Sequence, residues 1–379
     1  YYVQGELEAA LEDFDRALEV DPGFATAHYS HGKANMTLGA VDTALEDYGK
    51  AISLYKEEGA PGEVLAAAYL SRGQAYVEQD ELERAITDFG AAIALHPEDA
   101  GAYYSRAKAH MARGDAASAV DDLSAAIARY PDEKVYCVDK AAAYLGRGMA
   151  LSAQGELEGA IADYGRAIDL HPQPAVGYYR RGLAYADQGD LEAAVADFDH
   201  AIELDPSNTA ACYSRGTARE SLGDLEGAIL DYGRTLDLDP RHVEAYLSRG
   251  RAYAGLGDLQ ASLADFNEAI ILEPDCVAGY RHRGQMRREL DDLEGALADY
   301  DRVTALEPDG AAGHDERGLV LLALGRLEAA VASFERAAGL HTSDAELAKA
   351  HYHRGLAYAD AGDLPAAIEN YDQAVTLDR

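Results

Sequence analysis

Residues 173–206 read QPAVGYYRRGLAYADQGDLEAAVADFDHAIELDP, and apolar positions recur in this stretch at helical rather than strand spacing. In the first half Tyr178, Gly182 and Tyr185 fall three and four residues apart. In the second half Leu191, Ala194, Val195, Phe198, Ala201, Ile202 and Leu204 form one stripe. Gly189-Asp190 lies between them. A glycine can take the left-handed turn that ends a helix, and an aspartate oxygen can cap the free amides of the next. Asp205-Pro206 closes the second segment, because proline drives its predecessor out of helical geometry. The pattern predicts a helix-turn-helix unit with one greasy face, too small to bury that face alone.

The unit recurs along the chain. Prolines at 97, 131, 172, 206, 240, 274 and 308 end successive units, and five of the six gaps between them are 34 residues. A first-helix glycine repeats at 32, 73, 148, 182, 216, 250, 284, 318 and 355, with Ala107 in the missing slot. Twelve residues on comes a small residue, as in Ala160 and Ala194, and four beyond that an aromatic, as in Tyr164 and Phe198, with Leu123 the exception. Small residues let two helices approach closely and the aromatic fills the space beyond. Two gaps are seven residues too long, from Lys56 to Pro97 and from Pro131 to Pro172. Seven residues are close to two helical turns, so a lengthened helix keeps its apolar face on the same side. The first insertion holds Gly59-Ala60-Pro61-Gly62 and should lengthen both flanking helices around a turn. The second, Asp132 to Tyr136, should lengthen the helix after it. A third precedes the last pair, where Ser343-Asp344-Ala345-Glu346 has capping-box spacing and should start that helix early.

The pattern Y-x-x-R-G-x-A-Y…G-D-L-E-x-A-[IV]-x-D-[FY]-x-x-A-I-x-L-x-P resembles the tetratricopeptide repeat (TPR) family over essentially the whole chain. The fold implied is all-α, a right-handed α-solenoid superhelix of antiparallel helix pairs. The units are a half repeat 1–22, with Tyr1 late in a first helix, and full repeats at about 23–58, 59–98, 99–132, 133–173, 174–207, 208–241, 242–275, 276–309, 310–343 and 344–379. Neither end has the polar outer face that normally closes a solenoid. The expectation is therefore a portion of a longer protein, and the alternative is that the ends stack head to tail.

Arginine precedes the glycine in nine repeats, among them Arg181, Arg215, Arg249 and Arg283. Aspartate precedes the aromatic in nine second helices, among them Asp197, Asp231, Asp265 and Asp299. Guanidinium matches carboxylate bidentately, so this regularity predicts a structural ladder within a repeat or between neighbours. A site that grips an acidic ligand is the other reading, and it would rarely recur in every repeat.

Lys plus Arg total 33 against 68 Asp plus Glu, a formal charge of −35. That field repels phosphate backbones and argues against nucleic-acid binding. No apolar run spans a membrane. The three cysteines, Cys137, Cys212 and Cys276, have neither metal nor disulfide spacing. The compartment stays open: a cytoplasmic location is favoured, and a removed leader is compatible with a chain that opens inside a repeat.

Chemistry is not evident. Three S-x-x-K strings, at Ser30, Ser53 and Ser105, lie in repeat helices without companion motifs, and phosphate-cradling or nucleophile-elbow glycine motifs are missing. His28 with His31, and His351 with His353, have no third metal ligand at suitable spacing. Asn35-Met36-Thr37 is a formal sequon on a helix and carries no weight. No cofactor, metal or catalytic residue is assigned.

The resemblance implies that the first helices wall a concave groove that holds a partner's extended segment or helix. Its groove-facing positions lie three before, one after and four after each glycine. Three before stand Tyr29, Tyr104, Tyr179, Tyr213 and Tyr352, with Leu70, Leu145, Leu247, Arg281 and Asp315 in the other repeats. Tyrosines there suit recognition, though they equally suit packing beneath a neighbouring helix. Two before the glycine, chaperone-tail binders carry a clamp asparagine and sugar-transferase repeats an asparagine ladder. This chain has Ser, Gly, His, Glu or Arg180 there, so neither analogy names a partner. Around Tyr280 to Arg288 the acidic chain turns basic. Arg251, Arg281 and Arg288 should face the groove together and could hold a carboxylate, unless Glu244, Glu289, Asp315 and Glu316 neutralise them. The functional reading is a non-catalytic scaffold for a protein or peptide partner. The alternatives are an assembly module that self-associates end to end, or the substrate-recruiting arm of a larger enzyme.

Overall fold

The computed structural model describes residues 7–131, 137–171 and 174–378; Tyr1, the insertion from Asp132 to Tyr136, and Pro172 with Gln173 lie outside them. Among the described residues all 21 regular elements are helices. They run α1 (Leu7–Val20), α2 (Ala25–Thr37), α3 (Val41–Glu57), α4 (Gly62–Glu78), α5 (Leu82–Leu95), α6 (Ala100–Ala112), α7 (Ala116–Arg129), α8 (Cys137–Ala153), α9 (Leu157–Leu170), α10 (Ala175–Gln188) and α11 (Leu191–Leu204). They continue α12 (Thr209–Ser221), α13 (Leu225–Leu238), α14 (Val243–Gly255), α15 (Leu259–Leu272), α16 (Val277–Glu289), α17 (Leu293–Leu306), α18 (Ala311–Ala323), α19 (Leu327–Leu340), α20 (Asp344–Asp360) and α21 (Leu364–Leu377). After α1, each even-numbered helix is the first of a pair and each odd-numbered helix the second.

The α10–α11 pair shows why this sequence folds this way. Gly189 has φ +89°, the left-handed turn that ends α10. The Asp190 carboxylate then accepts from the Ala193 amide at 3.1 Å and caps α11. At the helix crossing a Cβ on Gly182 would stand 2.8 Å from the Phe198 ring, so only glycine lets the ring in. Ala194, Phe198 and Ala201 are fully buried and Ile202 nearly so; a phenyl ring buried to that degree contributes about 2 kcal/mol. Leu204 corrects the predicted stripe, being 48% exposed. It lies six residues past Phe198, about 240° around the helix and thus off the buried face.

The insertions lengthen helices. α3 and α4 each have 17 residues, separated by a turn with Gly59 at φ +68°. α8 has 17 residues against 13 for most first helices, although the inserted residues before it are outside the described set. α20 starts early at Asp344, with the Ser343 hydroxyl oxygen accepting from the Glu346 amide at 3.3 Å. Cys212 and Cys276 are buried and Cys137 half-buried, none of them in a disulfide.

The chain divides into two compact units, Tyr1–Pro206 and Ser207–Arg379. In each, a first helix packs on its own second helix and on the second helix of the preceding pair of that unit. First helices also touch one another: α2 with α4, α4 with α6, α6 with α8 and α8 with α10 in the first unit, and α12 with α14, α14 with α16 and α18 with α20 in the second. Among the described residues second helices make no comparable contacts with each other. Within each unit the first helices therefore line the tighter, inner side.

Candidate partner-binding groove

Each first helix divides its side chains between holding the repeat together and facing the inner side. The arginine before the glycine does the first job. Arg181 Nε and Nη2 donate to the two carboxylate oxygens of Asp197 at 2.7 and 2.8 Å, joining α10 to α11. The same bidentate pair joins Arg72 to Asp88, Arg106 to Asp122, Arg147 to Asp163, and Arg249 to Asp265. Arg215 pairs with Asp231, and Arg283 with Asp299, with a second arginine one turn later, Arg219 or Arg287, on the same carboxylate. The aspartates are almost wholly buried, where an unpaired charge would be costly. The tyrosines of the Y-x-x-R-G-x-A-Y motif flank the guanidinium, as Tyr178 and Tyr185 do around Arg181 at 5.6 and 5.9 Å from the ring centres.

The ladder also reaches between repeats. In the slot after the second-helix aromatic, Ser124 accepts from Arg147 at 3.0 Å and Asn267 from Arg283 at 2.6 Å. Where the ladder aspartate is replaced by Ser333, Arg317 donates to that hydroxyl at 2.6 Å and turns its Nε to Asp301 of the preceding repeat, also at 2.6 Å. Arg354 meets Asn370 instead. In the first full repeat His31 takes the arginine's place and bonds Asp47 at 2.7 Å; His28 bonds the same carboxylate. Asn35 is buried and donates to Asp47, so the sequon asparagine belongs to this cluster. Among the described residues no group of three or more His, Cys, Asp or Glu is arranged to hold a metal ion.

The tyrosines three before the glycine are half-buried, Tyr352 being the most exposed at 50%. Tyr29 packs on Tyr48, Tyr179 on Phe198, Tyr213 on Tyr232 and Tyr352 on Tyr371, with ring centres 5.6 to 6.0 Å apart. Tyr29 shares a hydrogen bond of 3.2 Å with Ser71, and Tyr213 one of 3.4 Å with Ser248, each linking adjacent first helices. Tyr104 has no such ring beneath it, because Leu123 fills the aromatic slot. Burial first, and then the charge of Asp139, push its phenol above the usual range. Arg180 stands near Tyr164, and its Nε is buried with no hydrogen bond among the described residues.

The basic stretch is met by carboxylates. Arg251 lies 3.5 Å from Glu220, and Arg281 lies 3.5 Å from Glu307 and 3.4 Å from Glu316. Glu220 and Glu307 were not among the expected neutralisers, and Glu244 and Glu289 turn instead to His242 and Gln285. Asp315 is taken by His341 at 2.6 Å. Arg281 and Arg288 both bear on Glu316, whose carboxyl is nonetheless pushed upward, chiefly by burial. His282, stacked on Phe266, is held below its ordinary value by burial and then by Arg251 and Arg281. Arg288 has no carboxylate within ion-pair distance among the described residues.

Family models described as tetratricopeptide repeat match 70–134, 213–275, 247–312, 283–345 and 316–379, and a second such model matches 175–208; a TPR-repeat model matches 1–39 and 148–189. The chain belongs to the tetratricopeptide repeat family. A search of curated proteins gives no significant match. Among solved structures, the C-terminal part of a TPR repeat-containing protein from Cytophaga hutchinsonii is similar at TM-score 0.56 and 18% identity, covering 64% of this chain and 97% of that one. A TPR protein from Parabacteroides merdae has TM-score 0.48, 21% identity and coverage of 71% and 98%. MamA from Desulfovibrio magneticus has TM-score 0.43, 25% identity and coverage of 45% and 96%. The TPR repeats, all-helical and stacked as a solenoid, support a protein-interaction scaffold. No helix among the described residues is long and apolar enough to cross a membrane.

Proposed function

We propose that the chain is a non-catalytic scaffold that holds a segment of a partner protein along the wall of first helices. The observation that carries this reading is the contact between successive first helices within each unit, bridged in places by tyrosine–serine hydrogen bonds. On this reading the half-buried Tyr29, Tyr104 and Tyr179 share one wall in the first unit, and Tyr213 and Tyr352 stand on first helices of the second. Large rings, all but Tyr104 held in place by a second-helix aromatic, give contact area at little further entropy cost, which is what a recognition surface needs.

Peptides selected from a display library against the chain test the reading. Their affinity should fall about tenfold or more for the triple variant Tyr29→Ala, Tyr104→Ala, Tyr179→Ala, with helicity retained by circular dichroism. Leu230→Ser, on the exposed side of α13, should leave it unchanged. Peptides that bind the triple variant as well as the parent would sink the groove.

A further inference from the structure

The first unit has one place on its inner side where the repeat pattern is broken in three positions at once. Leu123 stands where other second helices carry a ring, Ala107 stands where other first helices carry glycine, and Gly146 leaves the adjoining slot on α8 without a side chain. The first two changes belong together. In the neighbouring repeat a Cβ on Gly73 would lie 2.6 Å from the Phe89 ring, so alanine is admissible at 107 only because a leucine faces it. The result is a cavity of about 300 Å³ between α6, α7 and α8, floored by Leu123 and walled by Tyr104, Met111, Leu145 and Met149. Lys108 stands at its edge, exposed. An apolar hollow of this size takes an aliphatic or aromatic side chain, and methionine walls adapt to its shape.

Charge chooses the flanks of that side chain. In a chain of formal charge −35, the positions three and two before and one and four after the glycine of α2, α4, α6, α8 and α10 include Lys33, Lys108 and Arg180 and no aspartate or glutamate. The equivalent positions in the second unit mix Arg251, Arg281 and Arg288 with Glu220, Asp315 and Glu316. Asp139, in the first turn of α8, is the carboxylate that bears on Tyr104. At physiological salt, charges more than about 8 Å apart are largely screened, so Lys108, the one cation at the hollow's edge among the described residues, governs what docks here, while the acidic exterior rejects the same ligand elsewhere.

We infer that this hollow is an anchor site for a partner segment that inserts one leucine-like or phenylalanine-like side chain between α6 and α8 and carries glutamate or aspartate beside it. The inference rests on the groove reading above and names its ligand class. The probes are fluorescein-labelled synthetic peptides with a central leucine flanked by glutamates, together with versions in which the leucine is serine or the glutamates are lysines. Anisotropy gives affinity, and ¹³C-methyl methionine spectra give location, since two of the four methionines, Met111 and Met149, line the hollow.

The expected result is binding of the Leu/Glu peptide with shifts of Met111 and Met149 and none of Met286, and an affinity at least about tenfold lower for the serine and lysine peptides. Two variants close the hollow without breaking the repeat. Ala107→Gly with Leu123→Phe restores the pair used elsewhere, and Gly146→Ser sets a Cβ 3.4 Å from the Leu123 methyls, an ordinary contact. Both should weaken the Leu/Glu peptide by a similar factor, and Lys108→Glu should do so while leaving helicity intact. Binding that moves Met36 but neither Met111 nor Met149 overturns the anchor site and leaves the groove standing. Binding that moves none of these three overturns the anchor site and takes the peptide off the first unit's wall. Equal affinity of the lysine peptide, or no loss in the closed variants, also overturns the inference, as does failure of the Leu/Glu peptide to bind.

Discussion

Asp197 is bonded by one arginine, Arg181, whereas Asp231 is bonded by two, Arg215 and Arg219. The same substitution should therefore have different consequences in the two repeats. Arg181→Ala strands a nearly buried carboxylate and should cost about 1–3 kcal/mol. Arg215→Ala leaves Arg219 at 2.9 Å and should cost less than 1 kcal/mol by that count. Urea unfolding followed by circular dichroism compares them, and equal losses would mean that packing rather than charge pairing sets the cost. The 16-residue spacing between arginine and aspartate is visible in the sequence, because both fall at fixed places in every repeat. The extra arginine was also there to be read, in Arg215-Gly-Thr-Ala-Arg219 and Arg283-Gly-Gln-Met-Arg287, four residues being one helical turn. The carboxylates that meet Arg251 and Arg281 were less legible. Glu220 lies on α12 and Glu307 just past the end of α17, away from the helices of the arginines they meet, and long side chains choose among several neighbours.

At the scale of the element, the turn between paired helices carries its strain in two repeats. Most of these turns use a glycine with φ between +70° and +89°, but Asp80 and Asp291 take φ 60° and 63° in the same slot. A side chain is disfavoured in that region, so Asp291→Gly should raise stability by about 0.5–1 kcal/mol. A thermal midpoint unchanged or lowered in this variant would show that the aspartate contributes something glycine cannot. The helices themselves were readable almost to the residue from period, glycine turns and capping aspartates, and the insertions were readable as longer helices. Leu204 was not: its apolar character suits the stripe, but its angle around α11 puts it outside. Composition along a short segment cannot settle a side chain's azimuth at the last turn of a helix.

For the whole molecule, 68 acidic groups against 33 basic ones mean that folding gathers like charges together. Raising sodium chloride from about 20 to 500 mM shortens the Debye length from roughly 20 Å to 4 Å and should raise the thermal midpoint, since diffuse repulsion is screened more than the short, half-buried ladder pairs. A falling midpoint would mean that ion pairing outweighs repulsion. What the sequence determined by itself was everything that repeats: the helix period, the antiparallel pairing, the small-residue crossing and the arginine–aspartate register. Each of these is set by contacts between residues a fixed, short distance apart, and ten copies make the signal unmistakable. Only the tertiary structure decided what happens once. It opened a hollow where Ala107, Leu123 and Gly146 meet, and supplied carboxylates to Arg251 and Arg281, because these depend on how individual side chains from separate helices fill the same space.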